Sequence, residues 1–139
     1  MTYLLDTSTV SLLLRAARNP EVVERHAQAE AEGAELVLCP VVAYEIRRGL
    51  EHRSAARQQE DFAVIERHWE RDDLVRQDWA LAAKLWARRA SEGRPTSDAD
   101  LLIAAHAARL GATIVTSNVR HFEGLGVAVE DWKGGGASP

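Results

Sequence analysis

"SDADLLIAAHAARLGATIVTSN", residues 97–118, carries a helix start, a helix stop and a strand in one stretch. Ser97 precedes the apolar run and reads as an N-cap for a helix from Asp98 to about Arg109. Gly111 closes that helix. Thr113-Ile114-Val115-Thr116 then reads as a short buried strand. A nearly all-apolar helix feeding such a strand fits a parallel sheet covered on both faces.

The rest of the chain repeats the alternation. Tyr3-Leu4-Leu5 is an apolar run ending at Asp6 and reads as the first strand. Thr7, Ser8 and Thr9 can cap a helix reaching about Arg18, which Asn19-Pro20 stops. Pro20 opens a helix through about Glu32, ended by Gly33. Leu36-Val37-Leu38 is a second strand, and Pro40 opens a helix over Val41 to Leu50. A charged helix follows over about Ala55 to Arg71. Leu74-Val75 reads as a third strand and Val127-Ala128-Val129 as a fifth. Between them a helix from about Trp79 to Ser91 carries Trp79, Ala82, Ala83, Trp86 and Ala90 in one stripe, a pattern more often core than groove. The class is α/β, in three layers. Residues 1–132 read as one domain and 133–139 as a disordered Gly-rich tail.

A chain of 139 residues can bury a core of ordinary size. Its single cysteine, Cys39, excludes an intramolecular disulfide and points to a reducing compartment, hence a cytoplasmic location. No signal peptide is read before the first strand, and no apolar run is long enough for a membrane span. The net charge of -4 argues against wrapping a nucleic acid with the whole surface but leaves room for a local basic patch. Fifteen arginines against two lysines supply bidentate phosphate donors for such a patch, although a GC-rich genome would produce the same bias.

Ligands of open parallel sheets bind beyond the carboxyl ends of the strands, where strand order reverses. Asp6 ends strand one. Asn118 lies two residues past strand four. Glu45 is just over a turn into the helix after strand two, and Asp100 starts the helix leading into strand four. Each has a plain structural alternative: Asp6 as an N-cap, Glu45 as a solvated residue, Asp98 and Asp100 as first-turn acids. Their convergence on one sheet edge is what favours a site. Residues two apart on a helix point about 200° away from each other, so Asp98 and Asp100 cannot both face it. Ile103, Ala104 and Ala107 follow Asp100 on an apolar face, which turns Asp100 inward and leaves Asp98 at the rim. Clustered carboxylates repel unless a metal or a shared proton intervenes. None of the five histidines forms a zinc motif, so the oxygen donors point to Mg²⁺ or Mn²⁺ and to phosphate-ester hydrolysis.

The segments "YLLDTSTVSLLL", "VVAYEIRRGL", "DADLLIAAHAARLGATIVTSNVRHF" and "GLGVAVEDW" resemble, in order and over Tyr3 to Trp132, the PIN-domain ribonuclease toxins of the VapC type. That resemblance implies a PIN-like α/β/α fold with a parallel sheet of about five strands ordered 3-2-1-4-5. It implies a Mg²⁺- or Mn²⁺-dependent endoribonuclease, a homodimer, and a small antitoxin that forms a toxin–antitoxin hetero-oligomer. Asp6, Glu45 and Asp100 match the family's acids, and the motif selects Asp100 independently of the helix geometry. Two positions depart from the family. Asn118 stands where many members have a fourth acid; Asn can still ligate a metal, without adding charge. His121 replaces an acid before Phe122, and Glu123 is a nearby substitute. Thr7 and Thr116 are candidate partners of the metal carboxylates, with helix capping as the alternative. Arg47 and Arg48 are candidate contacts for RNA phosphate or for an antitoxin, with an exposed helix face as the alternative.

Two other functions compete. A haloacid-dehalogenase-type phosphatase also has a strand-one Asp, but "DTSTV" places Ser8 where its second Asp belongs. A PIN-like module that binds RNA or a partner without cutting is compatible with loss of the fourth acid.

Overall fold

Leu4 and Leu5 are adjacent on a strand, point to opposite faces of the sheet, and are both 0% exposed. The sheet is therefore covered on both sides. In the computed structural model, which describes residues 1–134, it has five strands: β1 Thr2–Leu5, β2 Glu35–Leu38, β3 Glu70–Arg71, β4 Thr113–Val115 and β5 Val129–Glu130. Their order is β3-β2-β1-β4-β5, and every pairing is parallel. Leu4 is in register with Val37 on one side and Ile114 on the other. The order reverses between β1 and β4, and that edge holds the carboxylates.

Six helices connect the strands: α1 Thr7–Leu13, α2 Pro20–Ala31, α3 Pro40–Arg53, α4 Ala56–His68, α5 Arg76–Ser91 and α6 Asp98–Leu110. Helix α6 is buried almost all round, through Leu101 and the run Ile103 to Ala107, and it packs on both α5 and α3. Gly111, at φ 64, supplies the left-handed residue that ends it. Cys39 is buried at the end of β2, and burial pushes its thiol up to about 11. Among the described residues no helix is long and apolar enough to cross a membrane.

Four expectations are corrected. The first helix stops at Leu13 and is followed by a 3-10 turn, Ala16–Arg18. Asn19 terminates it by donating its side-chain amide to the carbonyls of Leu12 and Arg15, at 3.2 and 3.1 Å. The third strand is Glu70–Arg71, not Leu74-Val75. It pairs with Val37 and Leu38 through its backbone while both side chains stay exposed, so no apolar run marks it. Val75 instead caps α5, its N–H donating to Asp78 at 2.9 Å. The fifth strand is shifted to Val129–Glu130, with Glu130 buried against Arg25 and the Trp132 indole. The α5 stripe is not the core face: of its five residues only Ala82 is buried, Trp79 and Trp86 are 57% and 54% exposed, and the helix buries Asp78, Ala82, Leu85 and Arg89 instead. The two rings flank a groove of about 510 Å³ that also takes in Leu102 and Asp98. Of the tail, Lys133 and Gly134 form a turn, and residues 135–139 lie outside the described residues.

Candidate active site

Asp6 does two things at once. It is the N-cap of α1, with Oδ1 accepting from the Thr9 N–H at 3.1 Å. It is also held from across the sheet, where the Thr116 hydroxyl donates to Oδ2 at 2.5 Å. Ser8 donates its hydroxyl to Oδ1 at 2.6 Å and accepts from the Ser117 N–H at 3.1 Å, tying α1 to the end of β4. The capping and the site readings of Asp6 therefore describe one side chain in one conformation.

Glu45 comes from the second turn of α3. The Thr7 hydroxyl donates to its Oε1 at 2.6 Å, and Arg48 lies 3.6 Å from Oε2. Asp100 is in the first turn of α6, whose Ser97 cap accepts the Asp100 N–H at 3.2 Å. Its Oδ2 meets His121 Nδ1 at 3.2 Å. Asp98 is exposed and lines the Trp79/Trp86 groove instead.

The carboxylates feel one another. Burial raises the pKa of Asp6, which is 5% exposed, against hydrogen bonds from Ser8, Thr116 and Thr9 that lower it; the charge of Asp100 raises it further. Asp100 is raised by burial too, opposed first by His121, with Glu45 adding repulsion. Asp100 thus acts on Asp6, and Glu45 on Asp100, as like charges, while Glu45 and Asp100 line separate cavities. Among the described residues no three or more His, Cys, Asp or Glu side chains are placed together so that they could hold a metal ion as they stand. Hard oxygen donors in an open cleft fit Mg²⁺ or Mn²⁺, since Mg²⁺ keeps several waters and takes one or two carboxylates together with substrate phosphate oxygens.

The remaining sequence candidates sit around this cleft in different ways. Asn118 is exposed at the cap of a 3-10 turn, Val119–Phe122; its N–H donates to Thr116 Oγ1 at 2.9 Å, and its carbonyl accepts from the His121 N–H at 3.0 Å. Among the described residues its side-chain amide makes no hydrogen bond. Glu123 is exposed, and its carboxylate joins none of the hydrogen bonds or ion pairs of the cluster. Arg47 is paired with Glu66 and lies over the Phe62 ring, facing α4 rather than the cleft. Arg48 lies against Glu45 and over Tyr44. Ser8 was not singled out as a site residue from sequence. A hydroxyl two residues after the strand-end Asp was the available signal, and it reads first as helix-start composition.

A parallel α/β domain with carboxylates gathered where strand order reverses is an acidic-cleft α/β protein. The chain belongs to the PIN domain family, whose model matches residues 3–126. It is 41% identical over 76 residues to the tRNA(fMet)-specific endonuclease VapC of Shigella flexneri, a match spanning 52% of this chain and 58% of that one. It is 27% identical over 134 residues to the protein of the same name from Salmonella typhimurium, over 94% and 97% of the two chains. Among solved structures it is similar to DNA-bound VapBC from Salmonella typhimurium, with a TM-score of 0.78, 26% identity, and coverage of 95% of this chain and 98% of that one.

Proposed function

We propose that this chain is an endoribonuclease, dependent on Mg²⁺ or Mn²⁺, that acts as the toxin of a toxin–antitoxin pair. The observation that carries the reading is the placing of Asp6 at the β1/β4 edge of a PIN domain, held by Thr116 across the sheet, with Asp100 and then Glu45 near enough to act as like charges. Such an arrangement costs stability unless a cation is taken up there. Asp6, Asp100 and Glu45 would hold the ion. When bound, the ion supplies an activated water and polarises a phosphoryl oxygen. Thr116 and Ser8 fix the Asp6 carboxylate, Thr7 fixes Glu45, and Ser97 fixes the α6 turn that carries Asp100. The three hydroxyl donors Thr116, Ser8 and Thr7 set the orientation of the Asp6 and Glu45 carboxylates before substrate arrives.

The relatives named as tRNA(fMet)-specific endonucleases make transfer RNA the first substrate to try. The likeness to VapBC, together with the family resemblance, makes an antitoxin the expected partner; the resemblance also implies a toxin homodimer inside the hetero-oligomer. Purified protein should cut RNA with added Mn²⁺ and stop on addition of EDTA. Hydrolysis by water leaves 5′-phosphate and 3′-hydroxyl ends; 2′,3′-cyclic phosphate ends would contradict the mechanism. A second reading, a module that binds RNA without cutting, is favoured by the neutral Asn118 and by the fact that, among the described residues, no three His, Cys, Asp or Glu side chains are placed to hold a metal ion as they stand. Mn²⁺-dependent cleavage separates the two.

A further inference from the structure

We propose that a second cleft, adjoining Asp100, seats an RNA phosphate neighbouring the scissile one, with Arg94 and Arg120 as its ligands. This rests on the nuclease reading. The cleft measures about 350 Å³, and Arg89, Arg94, Ser97, Asp100, Arg120 and His121 contribute to its lining. One part of its wall is thus Asp100 of the acidic site, and another is cationic.

The cations differ in what they already hold. Arg47 is paired with Glu66 and Arg48 with Glu45. Arg89 is buried and donates to the Glu123 carbonyl, so it fastens α5 to the segment after the 3-10 turn. Arg94 and Arg120 are exposed and make no ion pair among the described residues. Their backbones are nevertheless fixed. The Arg94 N–H donates to the Arg89 carbonyl at 2.9 Å, closing the end of α5. Arg120 sits in the 3-10 turn between the His121 N–H to Asn118 carbonyl bond and the buried Phe122.

A chain of net charge -4 that handles a polyanion needs local cations beside its acidic cleft. Arg94 and Arg120 meet that need, and guanidinium is the side chain best matched to phosphate oxygens. An RNA backbone carries a phosphodiester at every nucleotide, so a strand with one phosphate at the carboxylates carries a neighbouring one towards the arginines that share this cleft with Asp100. An acidic peptide has no such reason to lie beside Asp100.

The test is anisotropy of fluorophore-labelled transfer RNA with the full chain in EDTA, between about 50 and 200 mM salt. Arg94→Ala and Arg120→Ala should each flatten the slope of log affinity against log salt by about 0.7–0.9, one phosphate contact each. The double variant should lose both contacts. Lysine at each position should restore much of the slope. Arg57→Ala, an exposed arginine outside this cleft, should change neither affinity nor slope. In Mn²⁺ the double variant should show a raised KM with kcat retained, the mark of lost uniform binding. A folded double variant with wild-type affinity, slope and KM, beside a wild type that cuts RNA, overturns the subsite and leaves the nuclease reading standing. A wild-type chain that neither binds nor cuts RNA overturns both.

Discussion

At the scale of single residues, the site is built from side chains whose local and functional roles coincide. Asp6 caps α1 and faces the cleft, and no sequence argument separates those two uses because the structure does not separate them. Asp100 was legible from the apolar face behind it; Asp98, two residues away, is exposed. Asp6→Asn, Glu45→Gln and Asp100→Asn should each lower RNA cleavage by at least about a hundredfold, the scale of losing one well-placed electrostatic group. Asp98→Asn should be much milder. Rates on one RNA under saturating Mn²⁺ check this, and the opposite ranking of Asp98 and Asp100 would show the wrong aspartate had been chosen. Thr116→Val removes a donor to Asp6 and leaves the carboxylate charge in place. It should reduce activity about 10–100-fold and raise the Mn²⁺ concentration needed for half-maximal rate. A loss of rate without that shift would mean Thr116 serves folding alone.

At the scale of elements, the central strands were readable because burial on both faces leaves them apolar. The edges were not. β3 is two exposed residues recruited by backbone pairing, and the apolar pair after it starts a helix instead. What anchors this region is a polar network invisible to periodicity. His106, fully buried on α6, meets Asp72 at 2.8 Å, and Arg109 bridges Asp72 at 2.5 Å and the buried Asp78 at 2.9 Å. The hydrogen bonds from His106 and Arg109 hold Asp72 below the usual carboxylate range. Burial, the largest single influence on Asp78, works to raise it, and the hydrogen bonds from Arg109 and the Val75 N–H together with the charges of Arg109 and His106 outweigh it. For a lowered carboxylate, the stabilisation is complete above the unfolded value near 3.9 and disappears as pH falls through the folded value. Arg109→Met should therefore cost about 2 kcal/mol near neutral pH, less than breaking a wholly buried pair because Arg109 is partly exposed. In urea melts the gap between variant and wild type should narrow below about pH 4. A gap independent of pH would assign the cost to packing.

At the scale of the whole molecule, alternation of apolar strands and helices gave the α/β class, while strand order came from family resemblance rather than from pattern. The order β3-β2-β1-β4-β5 places Asp6 beside Thr116 and brings α3 and α6 to the same edge. That edge opposes the stability of the metal-free fold. Asp6 and Asp100 have raised pKa values, so the cost is absent below the ordinary carboxylate range and grows as pH rises through the folded values. Asp6→Asn keeps an oxygen able to cap α1 and removes one charge from the cluster, so its metal-free form should melt at or above the wild type at neutral pH.

The same variant tests the central claim, that this acidic cleft is a metal site. An ion that binds only the folded state stabilises it by about 2.7 kcal/mol at a hundredfold excess over Kd. Melting curves of wild type and Asp6→Asn, with and without about a hundredfold excess of Mn²⁺ over the wild-type Kd, should show a clear rise in Tm for the wild type and a smaller one for the variant. An equal rise in both proteins, or none in either while both remain folded, would contradict the claim.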